Sequence, residues 1–212
     1  QELNSSPHIS NLDPIKVKGP WDGTNVFQIT TEDGLIYRFN STETTSFSSS
    51  YLPGSWGGYS YYSSWFLTEI EDPLTGQKVT FEYRAAMPGL SYGWKDGASL
   101  SGTECLMTGS FNNSHITINS SKVLSRIIFD GGYVEFKADE QRQDFTGDLA
   151  YTEINLYTKE NQLQKGFSLG YGYSSNGTGS EGKRLFLESV QEKGNSGTAL
   201  PPYRFSYKSR DL

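Results

Sequence analysis

The chain has 212 residues and a mass of 23.6 kDa, enough for one domain or two small ones with a sizeable core. Its net charge of -6 and pI near 5.0 argue against a partner held by phosphate contacts, and no basic stripe runs through it, so nucleic acid is not an expected partner. With 14 Tyr, 12 Phe, 4 Trp and 23 Gly, the composition favours strands and tight turns around an aromatic core. The single Cys, Cys105, excludes an internal disulfide and a multi-cysteine zinc site, and leaves the redox compartment open.

In chain order, residues 1–16 are polar, carry Pro7 and Pro14, and read as an N-terminal arm. Val26 to Phe39 reads as a hairpin turning at Asp33 and Gly34. Ser41 to Ser64 is rich in Ser, Tyr, Gly and Thr without clear periodicity, and reads as a functional loop or an irregular hairpin. Trp65 to Tyr83 is a hairpin turning through Asp72, Pro73, Leu74, Thr75 and Gly76. Residues 84–110, dense in Gly, read as loop with one short strand at Cys105 to Met107. His115 to Ile118 alternates as a strand, and Val123 to Ala138 forms a hairpin through Asp130, Gly131 and Gly132.

Residues 139–149 form the single helix candidate. Tyr151 to Tyr157 and Gln164 to Tyr173 pair through Lys159, Glu160 and Asn161, Ser174 to Gly182 reads as flexible, and Leu185 to Tyr207 is the last hairpin, with Pro201 and Pro202 opening its second strand. The domain expected is 17–212, with sub-units 17–83, 84–149 and 150–212. No apolar run approaches the roughly 18 residues of a membrane-spanning helix, and the chain as given carries no leader.

One pattern recurs. Leu67, Ile70, Val79, Phe81 and Tyr83 are answered by Leu124, Ile127, Val134, Phe136 and Ala138, and again by Leu187, Val190, Tyr203, Phe205 and Tyr207. Each copy is Leu-x-x-(Ile/Val), a Gly-bearing connection and an alternating strand, with Val26 to Phe39 as a degenerate fourth. Copies start 57 residues apart (124 minus 67) and then 63 apart (187 minus 124), which suits a unit of about four strands. The expected fold is all-β, antiparallel repeated hairpins forming one large sheet or a β-sandwich.

The segment from Trp65 to Asp72 and Pro73, then Gly76, Val79, Thr80, Phe81, Glu82 and Tyr83, resembles the W-x-L-T-x-I-x-D-P-x-G-x-x-V-T-F-x-Y units of very large secreted or surface proteins of Bacteroidetes, related to RHS/YD-repeat and toxin-shell proteins. Arg184 to Val190 with Gly194, Leu200, Pro201, Pro202, Tyr203, Phe205 and Tyr207 is similar to a segment of the same group, as is Ile29 to Gly34. The resemblance implies a non-enzymatic scaffold or interaction module of a larger secreted or cell-surface bacterial protein, partnered by other domains of that protein. The regular short period of YD repeats and the self-cleaving aspartic centre of many RHS shells are absent here.

The chemistry-bearing residues are few. Cys105 and His115 are the only thiol with a near histidine, and their setting fits a small buried Cys and a surface strand His better than a dyad. Glu69, Glu82, Glu135 and Glu188 are the strand carboxylates a glycan-active enzyme would need, yet they alternate with apolar neighbours as solvent-facing residues do. Two His and one Cys make no zinc spacing, no catalytic or metal residues are assigned, and no cofactor is expected. Asn-x-Ser/Thr sequons at Asn4, Asn40, Asn112, Asn119 and Asn176 arise readily in so Ser- and Asn-rich a chain. The candidate ligand site is aromatic: Trp56, Tyr59, Tyr61 and Tyr62 with Trp94 offer flat faces for sugar rings or a protein partner, making a carbohydrate-binding module the alternative to a scaffold.

Overall fold

The computed structural model describes residues 14–19, 26–51, 54–86, 90–99, 110–118, 121–145, 147–174, 183–196 and 198–208, with the backbone alone at 49–51, 54–57, 90–99 and 110–115. These residues form strands and turns and no helix. The first strands are β1 (Lys16–Lys18), β2 (Phe27–Thr30), β3 (Ile36–Phe39), β4 (Ser41–Tyr51), β5 (Gly54–Phe66), β6 (Glu69–Glu71), β7 (Lys78–Ala85), β8 (Leu90–Ser99) and β9 (Ser110–Ile118). They are followed by β10 (Lys122–Phe129), β11 (Gly132–Lys137), β12 (Glu140–Gln141), β13 (Leu149–Ala150), β14 (Glu153–Thr158), β15 (Leu163–Tyr173), β16 (Leu185–Gly194) and β17 (Tyr203–Arg204).

Eleven strands make one antiparallel sheet in the order β1-β2-β3-β6-β7-β10-β11-β14-β15-β16-β17. Since neighbours run in opposite directions, their connections alternate between the sheet's two margins. One margin carries only short turns, at 31–35, 72–77, 130–131, 159–162 and 195–202. Among the described residues the other carries the excursions: β4 with β5, β8 with β9, and β12 with β13. The first two excursions join as a four-stranded sheet, β5-β4-β9-β8. There β4 pairs with β9, although β3 and β10, the strands they continue, are separated by β6 and β7 in the large sheet.

Local chemistry explains the turns. Asp72 accepts hydrogen bonds from the Leu74 N–H (2.9 Å) and the Thr75 hydroxyl (2.8 Å), and both hold its carboxyl below the ordinary aspartate range. Gly76, at φ 72°, then reverses the chain and donates its N–H to the Asp72 carbonyl at 2.8 Å. At the β10–β11 turn, Gly132 sits at φ 151°, and a Cβ there would lie 2.0 Å from the Tyr157 carbonyl oxygen.

Cross-strand register sorts the large sheet into two faces. One is apolar: Val17, Ile29, Tyr37 and Ile70 form a row over β1, β2, β3 and β6, and Phe81, Ile127, Val134 and Leu156 form another over β7, β10, β11 and β14. The other is charged. Arg38 pairs with Glu69 and Glu71, Lys78 with the same two acids, Arg126 with Glu135, and Lys137 and Lys193 both with Glu153.

The recurring Leu-x-x-(Ile/Val) has a structural cause. In a regular strand residues i and i+3 point to opposite faces, but one extra residue returns them to the same side. Ser125 is such a residue: Leu124 pairs with Tyr83 and Ile127 with Phe81, so both sit on the apolar face. Glu188 does the same between Leu187, opposite Tyr171, and Val190, opposite Leu169.

A hydroxyl closes the unit. Tyr83 donates to the Leu67 carbonyl (2.8 Å), Tyr171 to the Tyr151 carbonyl (2.8 Å) and Tyr207 to the Leu187 carbonyl (2.7 Å). The N–H groups of Phe81, Leu169 and Phe205, each two residues earlier, donate to Thr68, Thr152 and Glu188, all at 2.9 Å. Tyr151 to Ile154 followed by Phe167, Leu169 and Tyr171 is therefore a further copy, with Tyr in place of the first Leu. The 63-residue step spans two copies, because Tyr151 opens one between Leu124 and Leu187.

Two expectations are corrected. Residues 90–99 are a strand, not loop: nine residues of β8 pair with β9, Gly97 falls at a register shift, and cross-strand bonding outweighs the low strand preference of glycine. Residues 139–149 are not helical, for β12 pairs with β13 and Arg142 is clamped between them. Its guanidinium donates to Asp144 (3.1 and 3.0 Å) and Asp148 (2.8 Å), while Gly147 takes φ 91°. Of the readings of Ser41 to Ser64 the irregular hairpin is the one found, as β4–β5, whose register shifts between Glu43 and Thr44 and between Phe47 and Ser49 break the period expected of a strand. Cys105 to Met107 and residues 175–182 lie outside the described residues, as does most of the N-terminal arm.

The core is thin. Among the described residues Ala86, Val123, Ala138 and Ala150 are the buried apolar side chains, and no large side chain is fully buried. Of the two layouts expected, the large sheet is found, as a single layer among the described residues.

Candidate functional site

The aromatic candidates lie on the four-stranded sheet. Tyr59, Tyr61 and Tyr62 stand on β5 with 60%, 46% and 41% of their surface exposed. Register places Tyr59 opposite Phe47, which faces Ile116, and Tyr61 opposite Thr45, which faces Ile118. The Phe47 and Tyr59 rings are 5.3 Å apart and those of Tyr59 and Tyr61 5.9 Å, tilted by 31°. These residues form one shallow aromatic strip.

Trp56 and Trp94 fall on the strands at the two edges of this sheet. Their backbones belong to a single cross-strand row, Trp56–Ser49–Ser114–Trp94, on the same side of the pleat as the Phe47 row; their side chains lie outside the described residues. Tyr62, opposite Thr44, is on the other side, with its ring 6.1 Å from Trp65. The structure thus brings Tyr59 and Tyr61 together, aligns residues 56 and 94 with them, and separates Tyr62. Phe47 belongs to the strip although the sequence does not single it out. Its signal is alternation with Thr45 and Ser49 inside a serine-rich run.

The strand carboxylates are distributed differently. Glu69 and Glu135 sit in the ion pairs of the charged face. Glu82 and Glu135 lie directly opposite Arg126 on its two sides, so the guanidinium separates the two acids. A depression of about 460 Å³ opens there, lined among others by Glu82, Arg84, Ser125, Arg126, Glu135 and Lys137. Ser125 donates its hydroxyl to the Glu82 carbonyl at 3.0 Å. Glu188 occupies the bulge of β16. His115 lies on β9 opposite Ser48 and Gly93, with its side chain outside the described residues, as Cys105 is altogether.

The strongest electrostatic focus is Glu153. Lys137 (2.9 Å), Lys193 (3.0 Å) and the Asn155 amide (3.1 Å) all donate to it, and they pull its pKa down to about 2, the Lys137 bond contributing most. Gly166 makes room for this cluster, since a Cβ there would lie 2.4 Å from Asn155 Oδ1. A carboxylate so held is an acceptor with its capacity used, which suits a cross-strand tie rather than proton transfer. Burial raises the phenol pKa of Tyr83, Tyr151 and Tyr171 instead, keeping all three neutral: Tyr83 and Tyr171 donate to carbonyls, and Tyr151 accepts from the Leu124 N–H.

No protein-family model, curated protein or solved structure matches this chain.

Proposed function

We propose that this chain is a non-enzymatic β-rich scaffold or interaction module of a larger secreted or cell-surface bacterial protein, of the kind related to RHS/YD-repeat proteins. The observation that carries this reading is the single-layer sheet, in which latched hairpins repeat side by side with one face ion-paired and the other apolar. Such a unit offers extended surface rather than an enclosed reaction centre. Its strongly placed polar groups tie strands to one another, as Glu153 ties β11, β14 and β16.

Two experiments test it. Protease shaving of intact producing cells is expected to release peptides of this chain, and purified chain is expected to turn over nothing in a broad screen of glycans and esters. Turnover that purifies with the chain overturns the scaffold reading.

The Tyr59–Tyr61 strip supports a second reading, carbohydrate binding, because two tilted exposed rings about one sugar length apart suit stacking on a glycan. On a glycan array, binding is expected and is lost when Trp56→Ala and Tyr61→Ala are combined. Binding that survives both changes removes this reading.

A further inference from the structure

Among the described residues, the apolar face of the eleven-stranded sheet is an extended surface with no second layer packed on it. Phe81, Ile127, Val134 and Leu156 cross its centre in one row, with Phe136 and Ile154 paired in the next. All six keep part of their surface accessible. Contiguous apolar surface beyond a few hundred Å² marks an interaction site.

Three features of the chain say what covers it. The first is size: with about 3.3 Å per residue and 4.8 Å between strands, the strands present about 1,000 Å² on one face, above the roughly 800 Å² per partner of a stable interface. The second is charge. Lys165 and Glu192 on this face neutralise each other at 2.9 Å, and Lys122, at the margin where β9 leads into β10, is bonded to Ser41 at 2.6 Å. Among the described residues, the centre of the face therefore presents no uncompensated charge to its twin, and the one charge left over, Lys122, stands at its rim.

The third is the poverty of other routes. The opposite face is a lattice of solvated ion pairs. The sheet's edge strands are blunt: β1 has three residues, two of them Lys16 and Lys18, and β17 has two, preceded by Pro201 and Pro202.

We infer that the apolar face is covered by the same face of a second copy of this chain, giving a two-layer sandwich with its two-fold axis near the Ile127–Val134 pair. An isologous contact of this kind places each apolar row against its symmetry mate, with the layers about 10 Å apart. The inference names the partner for the scaffold reading above and rests on it.

Sedimentation velocity of the 212-residue chain, with hydroxyl-radical footprinting on the same samples, tests it at about 1 µM and about 100 µM, concentrations that bracket a micromolar Kd. The expected result is a dimer at the higher concentration, with labelling of Phe81 and Phe136 falling about fivefold or more while Tyr133 and Tyr157, on the charged face, label equally at both; a loss of this size needs complete burial. Ile127→Lys is expected to weaken the dimer about 100-fold or more, since two unpaired ammonium groups would enter the interface. Ile128→Lys, one residue along and on the charged face, is expected to leave it intact. Footprinting of the unmodified chain decides the matter even where a variant does not fold. A monomer at the higher concentration, or a dimer that protects Tyr133 and Tyr157 instead, overturns the inference. Either outcome leaves the scaffold reading standing, which only turnover removes.

Discussion

Tyr83, Tyr171 and Tyr207 repeat one atomic event, a phenol donating to the carbonyl of the residue that opens its copy, Leu67, Tyr151 or Leu187. In each case the hydroxyl satisfies a backbone acceptor that the irregular ladder leaves over. Tyr83→Phe and Tyr171→Phe are each expected to cost about 1 kcal/mol, the net worth of a partly buried hydrogen bond, read as a lower urea midpoint with unchanged slope. Glu153 makes a different prediction. Its folded pKa of about 2 lies below the ordinary glutamate value of 4.5, so its contribution is complete above that value and is lost as pH falls toward 2. Glu153→Gln is expected to cost about 1–2 kcal/mol at neutral pH, after allowing for solvent screening of a partly exposed cluster, and to flatten the acid limb of stability against pH in urea titrations.

At the scale of elements the unit is a hairpin, entered through a bulge at Ser125 in one copy and at Glu188 in another. The β10–β11 hairpin departs from its siblings, and the departure has a structural reason. Ala138 stands where the other copies have Tyr, is completely buried, and has its carbonyl bonded to Arg84. Tyr151 packs edge-on to Phe136 there, and its hydroxyl accepts from the Leu124 N–H at 3.1 Å. Restoring the common residue with Ala138→Tyr is therefore expected to destabilise by about 1–3 kcal/mol through overpacking, against the usual direction of consensus changes. Gly132→Ala should cost about 2–4 kcal/mol, because the new methyl meets the backbone carbonyl of Tyr157, which cannot move without opening the β11–β14 ladder. Thermal unfolding monitored by circular dichroism reads both.

Over the whole molecule, stability cannot come from a deep core, since the described residues hold only four small or medium buried apolar side chains. It is carried by hydrogen-bonded ladders, by ion pairs on one face and by apolar neighbours on the other. Salt distinguishes these contributions. Association through the apolar face is expected to tighten in about 1 M sodium sulfate, which strengthens apolar burial, whereas contact through the charged face would loosen as its pairs are screened. Equilibrium sedimentation at low and high salt measures the sign.

Much of this architecture was legible from residue spacing. Asp72 to Gly76, Asp130 to Gly132 and Lys159 to Asn161 announce turns because their side chains and left-handed tolerance act within a few residues, and alternating Val, Phe and Tyr announce the strands they join. The Leu-x-x-Ile spacing was visible too, but its meaning as a bulge was not, since the extra residue is defined only against a partner strand. The copy at Tyr151 is not legible in the sequence because tyrosine replaces leucine there, and the carbonyl that both supply to the latch is invisible in side-chain letters. The aromatic candidates were legible as types, not as a surface: Tyr61 and Tyr62 are adjacent in sequence, yet their cross-strand partners, Thr45 and Thr44, put them on opposite sides of the sheet.

Local composition by itself determined that the chain is all-β, built of antiparallel hairpins, and where most of those hairpins turn. Only the tertiary structure decided that Gly-rich residues 90–99 are a strand, that residues 139–149 wrap an arginine instead of coiling, and that the hairpins form one open layer. Turn chemistry and alternation are written within a few neighbouring residues. Pairing, bulge register and the exposure of a face depend on residues brought together from distant parts of the chain, and no local pattern holds both partners.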